Sequence, residues 1–198
     1  MMTHTTERRR VLRKAISTRS IMFYAVILTL GVTQQVSAQR PDTAPADTAR
    51  ARLQPLKWMV GEWSGPAKVS SGGQQFAITQ HEHVVDAASG TVLLIQGIGT
   101  MSDGAGGERR VFESAGFLSF DMAGKQFKWV SSGGTGFVGI SDPKVKGDTL
   151  VWFTPDASGA RVRYTISRDK AGNWTEIGET LKDGSIWTRT FEMALVKK

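Results

Sequence analysis

No cysteine occurs among the 198 residues. That excludes disulfides, thiolate metal sites, cysteine nucleophiles and a lipid-modified N-terminal cysteine. Histidine is nearly as scarce, at three residues, so imidazole-based chemistry has few members to draw on. No run reaches the roughly 20 apolar residues that a membrane-spanning helix needs. Beyond residue 53 no stretch holds a helical period for more than about two turns, apart from a short turn at Pro55–Met59. A phosphate-loop lysine, a G-x-S-x-G elbow and a Ser-His-Asp set are all missing.

What the chain does have begins with charge. Lys and Arg number 25 against 18 Asp and Glu, a formal +7. The excess is not spread evenly. Residues 1–20 hold Arg8, Arg9, Arg10, Arg13, Lys14 and Arg19 against Glu7 alone, and an apolar run follows from Ile21 to Val32. Val36-Ser37-Ala38 then places small residues where a signal peptidase cuts. Residues 1–38 therefore read as a secretory signal, which predicts a periplasmic or secreted protein. That segment takes six bases and one acid with it, leaving 19 bases, 17 acids and a charge of +2. A charge so close to neutrality argues against nucleic acid as a partner.

Residues 39–52 (QRPDTAPADTARAR) lack any large apolar side chain and read as a disordered linker. From residue 53 onward, short apolar-rich runs alternate with Gly, Asp, Ser and Pro, the signature of an all-β domain. Ten strands are expected, between Gly61–Ser70 and Ser185–Val196. Asp-Gly and Gly-Gly supply turn residues with positive φ, as at Ser71-Gly72-Gly73 and Lys182-Asp183-Gly184. Spacers this short predict an antiparallel up-and-down meander over 53–198, closed as a barrel. A two-sheet sandwich is the competing architecture.

Strict alternation then assigns faces. Glu82 shares parity with Phe76, Ile78 and Val84, and Glu113 with Val111, Ala115 and Phe117. Arg189 stands among Trp187, Phe191 and Met193. All three charged residues are expected inside, in an apolar cavity with a few polar groups, the make-up of a small-molecule pocket. Trp129 and Tyr164 join them as candidate ligand contacts. Glu176 and Glu179 differ in parity, so at most one of them points inward. His81 and His83 share a strand face and could begin a metal site, but no further His or Cys follows to complete it. Gly134-Thr135-Gly136-Phe137-Val138-Gly139 fits G-x-G-x-x-G, yet Pro143 precludes the helix that a dinucleotide needs.

The opening run Leu56-Lys57-Trp58-Met59-Val60-Gly61-Glu62-Trp63-Ser64-Gly65 resembles the lipocalin and calycin superfamily. The resemblance implies that Gly61 and Trp63 form its Gly-x-Trp motif, with the Trp closing one barrel end. A basic residue of the last strand would pack across it, and Arg189 is placed for that role. Arg163-Tyr164-Thr165-Ile166, Trp174-Thr175-Glu176-Ile177-Gly178-Glu179 and Phe191-Glu192-Met193-Ala194-Leu195 are similar to bacterial exported calycin-like domains of unknown function. Gly61, Trp63 and Gly65 also resemble the opening of nitrobindin-type haem barrels. That likeness fails at Pro66 and Ala67, and at the C-terminal His that holds the haem, because no His follows His83. No cofactor is expected. The expected function is carriage of an apolar or amphipathic small molecule without catalysis. An enzyme using Glu82 and Glu113, or a barrel filled by its own side chains, is the alternative.

Overall fold

The computed structural model describes residues 42–134, 136, 138–155, 159–182 and 184–198. The expected signal, 1–38, and the first residues of the linker lie outside them. So does part of the glycine-rich stretch at 134–139.

Eleven strands form one antiparallel sheet. They are β1 (Gly61–Ser71), β2 (Gln74–Ala87), β3 (Val92–Ser102), β4 (Glu108–Asp121), β5 (Gln126–Gly133), β6 (Val138–Ser141), β7 (Lys144–Lys146), β8 (Thr149–Pro155), β9 (Arg161–Arg168), β10 (Trp174–Lys182) and β11 (Ile186–Lys197). Their order in space is β6-β5-β4-β3-β2-β1-β11-β10-β9-β8-β7. Every ladder therefore joins sequence neighbours except the one between β1 and β11. The result is the expected all-β up-and-down barrel, curled from a single sheet whose edge strands are β6 and β7. At the open seam β6 lies against β8. The three-residue β7, too short to carry an alternation, is the strand that the sequence pattern does not announce.

The linker departs from expectation. Ala44–Leu53 is a helix, α1, followed by a 3-10 turn over Gln54–Met59. Its local chemistry favours that state: Pro45 stands in the first turn, Asp47 lies near the N-terminus, and Arg50 and Arg52 close the C-terminal turn. Composition alone understated what the segment can bury. Ala49 and Leu53 are both covered, and the Arg52 guanidinium lies 5.4 Å from the Phe120 ring centroid. Arg50 donates to the carbonyl of Ser89, and Lys57 to that of Gly90 while pairing with Asp86 at 2.6 Å. These bonds clasp the β2–β3 connection, where Ala88 and Ser89 both adopt positive φ.

The 3-10 turn and three tryptophans shut one end of the barrel. Trp58, Trp63 and Trp174 meet edge to face at 5.5–5.9 Å between centroids. The Trp63 indole donates to the Met59 carbonyl at 2.8 Å, and that of Trp58 to the Asp148 carbonyl at 3.2 Å. Leu53, Leu56, Met59, Leu93, Leu118 and Leu195 complete the core beneath them. The closing motif is thus the one that Gly61 and Trp63 suggested. The base across it is a different one: Lys197 places its Nζ 5.2 Å from the Trp63 ring, while Arg189 is eight residues away along β11.

Gly65 permits the β1–β11 ladder. A Cβ there would run into the backbone carbonyl oxygen of Ala194, so Gly65→Ala must push the two strands apart. Gly72, in the β1–β2 turn, has φ +58° and nothing within 4 Å of its would-be Cβ. Replacing it with Ala should cost about 1 kcal/mol of backbone strain. Urea unfolding is expected to show Gly65→Ala as the more damaging change by at least about 1 kcal/mol; equal losses would contradict the close approach.

Candidate functional site

The two ends of the barrel differ. Turns at residues 72–73 and 103–107 lie at the end opposite the tryptophans, and there the inward face is not covered. Phe76 is in phase with buried Ile78 and Gln80, and Phe112 is the register partner of inward Gly99. Yet they are 38% and 47% exposed. Inward apolar side chains that solvent reaches define a mouth.

The walls below it are unequal. Two rows across β3, β4, β5 and β6 are small and in register: Gly97, Ser114 and Gly133 form one, and Gly116, Ser131 and Gly139, continuing from Ile95 of β3, form the other. The wall from β8, β9 and β11 carries bulk. Trp152 stacks on Tyr164 at 4.5 Å, and Phe191 meets the Tyr164 ring at 6.2 Å. Trp129, from β5, stacks on the other side of Trp152 at 5.0 Å.

Two acids lie between these walls. Glu82 is the register partner of Trp63, and its carboxylate oxygens sit 2.8 and 3.1 Å from where a Cβ on Gly97 would stand. Gln80, 2% exposed, donates its amide N–H to Glu82 at 2.8 Å. Its own carbonyl oxygen is buried and has no donor among the described residues. Glu176, buried on β10, points to the same interior two residues beyond Trp174. Burial pushes the Glu82 carboxyl up to about 7, against which the Gln80 hydrogen bond works. Burial also pushes Glu176 up, to about 8, and the nearby Glu82 charge adds to it. Among the described side chains no base is buried with them, and Glu176 is the only charged residue that is buried.

Three of the expected site residues do point inward. Glu82 does so in a polar cluster, Tyr164 as part of the aromatic wall, and Trp129 as a core residue spent on packing. Two do not. Glu113 is on the outer face of β4, paired with Arg110 at 2.7 Å. Parity misleads here because the inward residues of β4 include Ser114 and Gly116, while Ala115 and Phe117 lie outside. Phe117 belongs to an apolar row in which Val85, Leu94, Phe117, Val130 and Ile140 are successive register partners.

Arg189 is outside for a different reason. Gly178 pairs with Phe191 but Glu179 with Arg189, so Thr190 is an extra residue in β11. This β-bulge reverses the alternation beyond it. Arg189 consequently pairs with Glu192 at 2.9 Å and lines a groove of about 130 Å³ on the outer surface with Lys68 and Gln75. Trp187 is turned out by the same bulge and carries Arg163 on its ring, 4.3 Å from the centroid. Of the C-terminal pair, Glu176 faces inward and Glu179 outward, bound to Arg163. Glu176 and Gln80 are the site members that the expected set omits. The first was legible from its parity with Trp174, the second from its parity with Glu82.

His81 and His83 face outward. His81 Nδ1 lies 3.0 Å from Ser64 Oγ, and both rings border a groove of about 90 Å³ with Glu62 and Gln96. No group of three potential ligands that could hold a metal occurs among the described residues. With both rings outside, the described interior offers no imidazole to an iron porphyrin.

No family model matches the chain, and no curated protein does. Among solved structures, that of Rv2717c from M. tuberculosis is similar, with a TM-score of 0.54 at 11% identity. The match covers 74% of this chain and 96% of that one. At that identity the likeness is one of fold, a curled antiparallel barrel.

The buried acids make stability depend on pH in a defined direction. An exposed glutamate ionises near 4.5, whereas these two hold their protons to about 7 and about 8 when folded. The folded chain therefore binds more protons than the unfolded chain across that interval, and stability falls as pH rises through it. The carboxyls held down by hydrogen bonds, Asp47 from Arg50, Asp103 from the Ala105 N–H and Asp169 from the Asn173 N–H, act below about pH 4 and leave the interval clear. Melting temperature should fall between pH 5 and 8.5, reflecting a loss on the order of a few kcal/mol. Glu176→Gln should flatten that profile and melt higher at pH 8; a flat profile in the parent would refute the assignment.

Proposed function

We propose that this chain is a small-molecule-binding barrel, exported by its N-terminal 38 residues, that takes an apolar or amphipathic ligand through its open end and does not transform it. The observation that carries this reading is the asymmetry of the ends. Three tryptophans shut one end, while inward Phe76 and Phe112 are left uncovered at the other. Solvent-exposed apolar surface on the concave side of a barrel is costly unless something apolar covers it. The three tryptophans and the leucines beneath them fill the interior at the plug, so the ligand would occupy the part above them. The fold shared with Rv2717c is compatible with such a role.

A second reading is favoured by one specific observation. Glu82 and Glu176 are two interior carboxyls close enough for one charge to act on the other, and both titrate near neutrality. That is the raw material of general acid–base catalysis. Glu176, not Glu113, is the partner that such an enzyme would use.

Native mass spectrometry of the full chain, isolated from the organism that encodes it, tests the first reading. A co-purified small molecule is expected on the parent protein. It should be lost from Gly99→Phe, which fills the small-residue wall beside Ile78 and Phe112. The variant should keep its β-sheet circular dichroism. Bare protein in both samples would count against a carrier, and a chemically altered ligand would favour the enzyme.

A further inference from the structure

The interior recognises charge of one sign. Glu82 presents two oxygens over Gly97, and one strand position away Gln80 Oε1 stands 3.1 Å from the place a Cβ on Gly99 would take. Gly97 and Gly99 have no side chains of their own, and that gives the Glu82 and Gln80 side chains their room. Three acceptor oxygens thus hang over two adjacent inward glycines, and Glu176 adds a further carboxyl from β10. The buried donors left without a partner are neutral ones, the indole N–H groups of Trp129 and Trp152 among them. Gln80 Oε1 is buried without a partner, a state that costs roughly 1–3 kcal/mol unless a donor arrives.

The bases of the protein are elsewhere. The half-buried ones are each bound to an acid: Arg50 to Asp47, Lys57 to Asp86, Lys128 to Asp142 and Arg163 to Glu179. The remaining Lys and Arg whose side chains are described are exposed. An ionised carboxylate enclosed by protein needs a counter-charge. The described side chains bring none to the interior.

We propose that the ligand carries a protonated nitrogen on a flat aromatic body, with the ammonium held by Glu82, Gln80 Oε1 and Glu176. The body would lie between the glycine-lined wall and the Trp152–Tyr164–Phe191 wall. An ammonium donates the hydrogen bonds that these oxygens lack, and aromatic faces favour a nearby cation. The proposal rests on the ligand-binding reading above and narrows it to one class of molecule.

The test uses three probes with one indole body: tryptamine (cationic), tryptophol (neutral) and indole-3-acetate (anionic). Calorimetric titration of the full chain at pH 7.5 should give tryptamine an affinity at least about tenfold above tryptophol, with the acid weakest. Glu82→Gln combined with Glu176→Gln should bring tryptamine down to the level of tryptophol. Gln80→Met, which keeps the volume and removes the acceptor, should weaken tryptamine by about three- to tenfold and serves should the double variant not fold. Outer-face Glu62→Gln should leave the series unchanged. Equal binding of the three probes, or tightest binding of the acid, overturns the cation proposal and leaves a ligand-binding barrel. Absence of binding by every probe overturns both.

Discussion

The edge-to-face contact of Trp58, Trp63 and Trp174 is the constraint on which the rest of the molecule depends. These rings come from the 3-10 turn, the first strand and the tenth strand, so their contact joins segments that the sheet alone would leave apart. They also set the depth of the polar cluster. Glu82 is the register partner of Trp63, and Glu176 follows Trp174 by two residues on one face. Both acids therefore sit just above the plug. A chain without cysteine has no covalent means of holding an end shut, and packed aromatic surface takes that place.

From that plug upward the interior is divided by size. Two rows rich in glycine and serine cross β3 to β6 above the large residues Leu93, Leu118 and Trp129, and aromatic rings line the wall opposite. The same division accounts for the outer surface. Where small residues face inward, the apolar side chains of those strands face outward, which produces the row from Val85 to Ile140. Charge is partitioned as strictly. Acids enter the barrel, and the described bases stay on its outer face, its rim or its ends.

Much of this architecture could be read in the sequence. The strands, the turns, the closing Trp63 and the inward Glu82 all follow from local patterns. The errors have definite physical origins. A single inserted residue, Thr190, carried Arg189 and Trp187 to the other face, and no alternation can announce a bulge in advance. Glu113 was misplaced because hydrophobicity marks the buried face only when the buried face needs bulk, and β4 spends its inward positions on Ser114 and Gly116. The helix Ala44–Leu53 was missed because its burial comes from Ala49, Leu53 and arginine stems, which a count of large apolar residues does not register. Lys197 replaced Arg189 over Trp63 for a simpler reason: β11 runs to the plug end only at its last residues.

One feature of the topology bears on how the chain folds. Trp63 pairs with Lys197, and this is the single ladder in the sheet that does not join sequence neighbours. Every other pairing can form as a hairpin, locally and early. This one must close a loop of nearly the whole domain, the slowest kind of contact to make. Until the last strand has been synthesised, β1 and β10 both keep an unpaired edge. A chain interrupted before Ile186 is therefore not a shorter barrel but two separate sheets, β6 to β1 and β10 to β7, each with a new adhesive margin prone to pair with its neighbours.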